Sequence, residues 1–330
     1  MDDTDNQITL NELQKLPVAS KTYLEPHRLE HFLAAYETKN FHHAAALNSV
    51  SQQAVSKAIA KLEEVLEVKL FERLPTGVKP TIYADHLVRR AKLILAESRN
   101  ASLEILALRG YGKGEIRVGV GPSFTSRLFP RAVKGLKQRT NDVGVKSYVG
   151  LSSKLIPMIL AGEIEFAVVA PPHGTYIDVE LEVEKIYEEI DVVMGRVNHP
   201  LTDILDRTLS DYARFPWVVP MGLSSIWSGV VDMFASEGVD PPTDLLRLDG
   251  IRLAIGHVIE GDALSLMPHE LVIHELDSGI MQAIDHPSLR VTRPVLMLKR
   301  KHSQLTPSAA LMYSILKGVL QQYDNQHINI

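Results

Sequence analysis

The chain has 330 residues and a formal net charge of −5, a length that exceeds one compact core and predicts two or three domains. No apolar run is long enough to span a bilayer, and Met1 to Asn6 is acidic and polar where a secretory signal would be basic and then apolar. Cysteine is absent, which excludes disulfides, thiol nucleophiles and Cys-ligated zinc and leaves the cytoplasm as the expected location. The charge is uneven: residues 25–113 hold 13 Lys and Arg against 10 Asp and Glu, whereas residues 114–330 hold 20 against 26. A mildly basic head on an acidic body permits a nucleic-acid-binding module joined to something else.

Residues 1–24 are polar and weakly periodic and read as an N-terminal extension. Pro26 suits a first helical turn, and Leu29, Phe32, Leu33 and Tyr36 give that helix one apolar face. A short helix follows over His42–Leu47, with Asn48 expected in the left-handed conformation that ends it. Ser51 is then the N-cap of a third helix reaching Leu66. Val68–Phe71 and Val78–Lys79 predict two short strands around Pro75-Thr76-Gly77, a wing. A long helix is expected over Thr81–Leu108. Its residues Leu87, Ala91, Ile94, Ser98, Ala101, Ile105 and Leu108 recur at coiled-coil spacing. Gly110, Gly112 and Gly114 mark a linker. Beyond Glu115, strands at Ile116–Val120, Val145–Val149 and Phe166–Val169 alternate with helices near Thr125 and over Ser152–Ala161, a βαβαβ unit with a parallel sheet. Another α/β region spans 178–293, and a strand near Val295–Leu298 precedes a helix over Ser308–Gln322.

In the third helix Val55, Ile59, Leu62 and Leu66 form an inner stripe, so Gln52, Gln53, Ser56, Lys57 and Lys61 point elsewhere. Such side chains can pair with base edges or phosphates in a major groove, and Arg73 and Lys79 on the wing can touch the backbone. Spacing alone leaves this reading level with a small three-helix bundle whose polar face is simply solvated.

The run Phe41–Arg73 carries paired alanines at Ala44 and Ala45, a Ser51-Gln52-Gln53-Ala54-Val55-Ser56 start, Leu62-Glu63, and Leu70-Phe71-Glu72-Arg73 in the wing. It resembles the LysR-type transcriptional regulators, over about residues 25–320. Local departures are Gln53, Glu67 in place of a usual glycine, Pro80 and Ala84. The resemblance implies a multidomain α/β protein: a winged helix-turn-helix over 25–80, a linker helix and hinge over 81–113, and an effector-binding domain over 114–330. That last domain is similar to two-lobed periplasmic binding proteins, with lobe one at 114–171 plus 294–330 and lobe two at 172–293. The chain then crosses between lobes near Val169–Pro172 and again near Val295. The resemblance further implies binding to double-stranded promoter DNA, a homodimer through 81–108 that assembles to a tetramer, and RNA polymerase as a further candidate partner. The stretches Gly77–Thr81 and Arg89-Arg90-Ala91 are similar to the subgroup controlling aromatic-acid breakdown or sugar uptake.

For the effector, Ser123 follows the first strand of the body, and Ser152 and Ser153 open the helix after the second. Helix N-termini attract carboxylates and phosphates, and matching positions in the family contact the effector. A small, carboxylate-bearing molecule is expected there, met from lobe two by Met221, Gly222 and Ser224. Plain helix caps are the competing reading of these serines. No cofactor or metal is expected: Phe124 breaks the glycine fingerprint begun by Gly119 and Gly121, and His27 and His31 lack the glutamate of a zinc protease. The other class of function is a solute binder or metabolic enzyme with a helical head that binds no DNA.

Overall fold

The computed structural model describes residues 24–109, 114–140, 142–172, 174–221 and 224–327. The extension before Leu24 and the linker glycines Gly110 and Gly112 lie outside them. The chain divides into two units, residues 1–99 and 100–330.

The first unit opens with α1 (Pro26–Thr38), α2 (Phe41–Leu47) and α3 (Gln52–Leu66). Asn40 caps α2 by accepting the amides of His42 and His43, and Ser51 caps α3 by accepting that of Ala54, as N-cap chemistry requires. The left-handed residue after α2 is Ser49 (φ 54°), not Asn48. Asn48 instead donates its side-chain amide to the Ala44 carbonyl at 2.9 Å, which holds its own backbone near the helix. Leu29, Phe32, Ala35, Ala44, Ala45, Val55, Ile59 and Leu62 make the core. The wing is an antiparallel pair, β1 (Phe71–Leu74) and β2 (Gly77–Pro80). Its first strand begins three residues later than the sequence reading places it, because residues 67–70 serve to end α3. Glu67 turns left-handed (φ 55°) and the Val68 amide returns to the Glu63 carbonyl. A left-handed residue with a Cβ costs about 1 kcal/mol over glycine. Glu67→Gly should therefore raise the stability of the head by about 1 kcal/mol, read by urea denaturation.

The long helix α4 (Ile82–Leu108) starts after Thr81, whose hydroxyl donates to the Lys69 carbonyl. The apolar stripe of this helix splits. Leu87, Ala91 and Ile94 pack into the core of their own head, whereas Ser98, Ala101 and Ile105 are exposed. The side chain of Leu108 is outside the description. Half of the heptad pattern is thus spent within one chain.

The second unit is built on one sheet of β3 (Glu115–Val120), β4 (Gly144–Val149), β5 (Phe166–Val169), β6 (Leu181–Arg196), β9 (Ser265–Pro268), β10 (Met281–Ala283) and β11 (Val291–Arg300). Its order is β10-β6-β11-β5-β3-β4, with β9 also pairing β6. β3 is parallel to β4 and to β5, the expected βαβαβ unit. α5 (Leu128–Lys137) and α11 (Pro307–His327) cover one face, and α6 (Ser152–Leu160) the other. The second half of β6 carries the other lobe. There a parallel pair, β7 (Trp217–Pro220) and β8 (Leu245–Leu248), packs with α7 (Leu209–Ala213), α8 (Ser224–Ser236), α9 (Ile251–Glu260) and α10 (Ile273–Asp277). Trp217 and Trp227 lie in that core, ring centroids 5.5 Å apart.

The crossings between lobes differ from expectation. β6 pairs β11 from Leu181 to Asp191 and pairs β9 from Asp191 to Met194. The chain therefore leaves lobe one inside β6, near Asp191, and not at Val169–Pro172. It returns at the start of β11, near Val291. Residues 181–190, assigned to lobe two by sequence, complete the sheet of lobe one. The cause is the 16-residue strand, which bridges two cores without a loop.

Candidate functional site

The recognition face follows from α3. With Val55, Ile59 and Leu62 buried, helical geometry turns the intervening residues outward. Gln52, Gln53, Lys57 and Lys61 are exposed and Ser56 is half-buried. Lys61 is already engaged: its Nζ lies 2.7 Å from Glu64 Oε1. Lys57 forms no such pair among the described residues. On the wing Arg73 and Lys79 are exposed, but the register sets Arg73 opposite Val78 and Lys79 opposite Glu72. Directly opposed residues share a face and neighbours alternate, so the two cations leave opposite faces of the hairpin.

Glu63 ties the helix to the wing. Its Oε1 accepts the Leu70 and Phe71 amides at 2.8 and 3.2 Å, and its Oε2 meets Lys69 Nζ at 2.7 Å. This brace explains a carboxylate at that point of the motif: two orphan amides at a helix-to-strand corner need one acceptor that reaches both.

In the second unit the candidate effector residues divide. Ser123 does not precede an α-helix. It lies on a 3-10 turn, Pro122–Phe124, and α5 starts only at Leu128. The Thr125 hydroxyl bonds the Pro122 carbonyl at 2.7 Å and prolongs the turn. Ser123 is buried, and its hydroxyl donates to Glu189 Oε1 at 3.3 Å. The pair of helix N-termini expected at Ser123 and Ser152 is therefore a single one, at α6. Neither serine is a cap: Leu151 occupies the N-cap of α6, with Ser152 at the first helical position. Ser152 is buried and Ser153 exposed, so the two diverge. Met221 is exposed at the end of β7. Gly222 and the side chain of Ser224 lie outside the described residues.

Where the strands cross between lobes, the structure buries charges that sequence reading missed. Arg293 donates Nε and Nη2 to the two oxygens of Asp191 at 2.8 and 2.7 Å and Nη1 to the Ala170 carbonyl at 2.6 Å. Its Nη2 also lies 2.6 Å from Glu189 Oε1. The usable signal was the alternation Tyr187, Glu189, Asp191, Val193 along one strand face, all buried. Burial pushes the Glu189 carboxyl up to about 7, against the pull of Arg293, because one guanidinium serves two carboxylates. Burial raises Asp191 as well. A carboxyl with a raised folded pKa holds its proton longer folded than unfolded. Its contribution is therefore full at low pH and is lost as pH rises from the unfolded value toward 7. Stability of the second unit should fall by about 3 kcal/mol across that window. Glu189→Gln should flatten that slope in thermal melts taken from pH 5 to 8.

Across the lobes, the Arg127 guanidinium pairs with the buried Glu270, and His274 Nε2 lies 3.2 Å from the Ser126 carbonyl. The turn bearing Ser123 is thereby fastened to lobe two through the two residues that follow it, 126 and 127.

A winged helix-turn-helix, a long helix and two α/β lobes on a shared sheet define a one-component regulator, a DNA-binding head carried by a sensing body. Residues 26–84 match the model of the bacterial regulatory helix-turn-helix proteins of the lysR family, and residues 109–321 match the LysR substrate binding domain. The chain belongs to the LysR family of DNA-binding transcriptional regulators and carries its effector-binding domain. It is 29% identical over 301 residues to the HTH-type transcriptional regulator GbpR of Azospirillum brasilense, covering 90% of this chain and 87% of that one. Full-length CbnR complexed with its target DNA has the same fold, with TM-score 0.62 at 20% identity over 89% of this chain and 99% of that one. So does full-length LysG of Corynebacterium glutamicum with bound effector arginine, with TM-score 0.58 at 16% identity over 90% and 98%. These relatives are regulators, not enzymes. No helix among the described residues is long and apolar enough to cross a membrane.

Proposed function

We propose that this regulator reads promoter DNA with Gln52, Gln53, Ser56 and Lys57 in the major groove. Lys61, Arg73 and Lys79 meet phosphates beside it, and a small carboxylate-bearing effector controls the binding. The observation that carries the reading is the capped helix α3, with its aliphatic stripe buried and a polar, cationic face left open. CbnR, a protein of the same fold, is known bound to its target DNA. Two chains pair along 81–108, using apolar residues that one chain leaves exposed: Ile82, Tyr83, Ile105 and Leu106. Pairs assemble to tetramers, RNA polymerase is a partner at the promoter, and the protein works in the cytoplasm.

The effector reading rests on the first turn of α6. The amides of Lys154 and Leu155 bond the Leu151 carbonyl, which leaves those of Ser152 and Ser153 as the open donors of the first turn, with the Lys154 ammonium beside it on the Val149 carbonyl. The helix end and the lysine both favour an anion. LysG carries an effector, arginine, that itself bears a carboxylate. From lobe two, Met221, Gly222 and Ser224 are the candidate contacts. Ser123 joins only by giving up Glu189, which links effector binding to the buried charges. Calorimetric titration of the full-length protein with a panel of small aliphatic and aromatic carboxylic acids tests this. One acid should bind saturably, and Ser152→Ala should weaken it about tenfold. Binding by none of them, or binding that Ser152→Ala leaves untouched, refutes the acid site.

A further inference from the structure

Beside the strand crossing lies a cavity of about 190 Å³. Tyr187, Glu189, Glu270, Asp285, Tyr323 and Asp324 line it, with aliphatic side chains between them. Tyr187 is 6% exposed, and its hydroxyl has no hydrogen-bond partner among the described residues. A buried, unpartnered hydroxyl is rare in native proteins and calls for an explanation. The ring faces the same space, its centroid 5.6 Å from that of Tyr323.

The charges of the wall do not balance. Glu270 is matched by Arg127 and Asp285 by Arg290, while Glu188, also on the wall, is matched by Lys185. Glu189 has only a share of Arg293, which it divides with Asp191. Asp324 has no ion-pair partner among the described residues. Asp324, joined by Glu189 as it ionises, therefore gives the cavity surplus negative charge, beside aromatic rings and an idle phenol oxygen. Each of these recognises an N–H-bearing cation: carboxylates by charge-assisted hydrogen bonds, rings by their negative faces, the phenol as an acceptor. One such contact already exists within the protein, where the Arg127 guanidinium carbon stands 5.9 Å from the centre of the Tyr323 ring. Size sets the class, since an apolar cavity of about 150 Å³ holds benzene, so a four- to six-carbon amine fits.

We infer that this cavity is a second ligand site of the protein and that it takes a small protonated amine. It is chemically opposite to the acid site proposed at α6 and stands independently of it. Because Glu189 also accepts the Ser123 hydroxyl, an amine in the cavity is felt at the Pro122–Phe124 turn.

The test is isothermal titration of the full-length protein with n-butylamine and 1,4-diaminobutane at matched salt, with 1-butanol and butyrate as neutral and anionic controls. Tyr187→Phe removes only a hydroxyl that bonds nothing among the described residues, so its melting temperature should be no lower than that of the wild type. Amine binding should nonetheless weaken about tenfold in it, and Asp324→Asn should weaken it similarly. Saturable amine binding lost in both variants, with neither control bound, supports the site. The proposal is overturned by absent amine binding, by equal binding of butanol or butyrate, or by amine binding that both variants keep and Ser152→Ala removes.

Discussion

Replacing Arg293 by methionine should lower the stability of the effector-binding unit by about 3–5 kcal/mol, roughly 10 °C in melting temperature for a unit of this size. Arg293 is 4% exposed, and its guanidinium directs its donors to two carboxylates and a carbonyl, all at the strand crossing. Without it, Glu189 and Asp191 stay buried with no counter-charge, and that residue is what makes the loss large. Arg293→Lys should recover only part, since an ammonium cannot hold both Asp191 oxygens as the planar fork does. The deficit should shrink at low pH, where the two carboxyls take up protons, and should largely vanish in the triple variant Arg293→Met, Glu189→Gln, Asp191→Asn. Urea denaturation of the four proteins at pH 5 and pH 8 measures this. A loss under 1 kcal/mol for Arg293→Met at pH 8 would show that water reaches the cluster.

Gly77→Ala should be the most damaging single-methyl change in the head, about 3 kcal/mol. Gly77 has φ 149°, a conformation that side chains rarely adopt, and a Cβ there would stand 2.5 Å from the Lys39 carbonyl oxygen. That oxygen accepts the Val78 amide at 2.9 Å, the bond that seats the wing on the corner between α1 and α2. Neighbouring backbone cannot yield as a side-chain tip can, so the methyl displaces the wing. Denaturation should show the loss, and affinity for DNA should drop with it through the displaced Arg73 and Lys79. Unchanged stability in Gly77→Ala would mean that the corner gives way freely.

How legible the molecule was depends on whether a signal is local. Pro26, Asn40, Ser51 and the apolar spacing of α1 to α3 act within a few residues, and those elements lie where the sequence sets them to within a residue or two. The wing shifted because Glu67 turns left-handed without being glycine, so the end of α3 carried no visible mark. The heptads of α4 misled differently. Spacing identifies an apolar stripe but not its partner, and Leu87, Ala91 and Ile94 found theirs in the same chain. In the body, the βαβαβ unit was readable from its alternation. The lobe boundary was not, because it falls inside β6, near Asp191, where the strand runs on from one core to the other without a loop. The buried Arg293 cluster pairs residues about a hundred positions apart in sequence; the alternation at Tyr187, Glu189, Asp191 and Val193 marks the buried face of β6 but not the arginine that meets it. Ser123 shows the same limit: its place after a strand was correct, but the carboxylate it faces arrives from β6.

The central claim is that the open face of α3 binds DNA. Fluorescence anisotropy on a labelled duplex from the region upstream of the protein's own coding sequence tests it most directly, with wild type, Lys57→Ala and Gln52→Ala compared at several salt concentrations. Affinity should fall steeply and linearly in log salt for the wild type. Lys57→Ala and Gln52→Ala should each cost about tenfold or more, while both variants melt like the wild type. A duplex bound equally well by all three proteins, or not bound by the wild type even at low salt, would contradict the account.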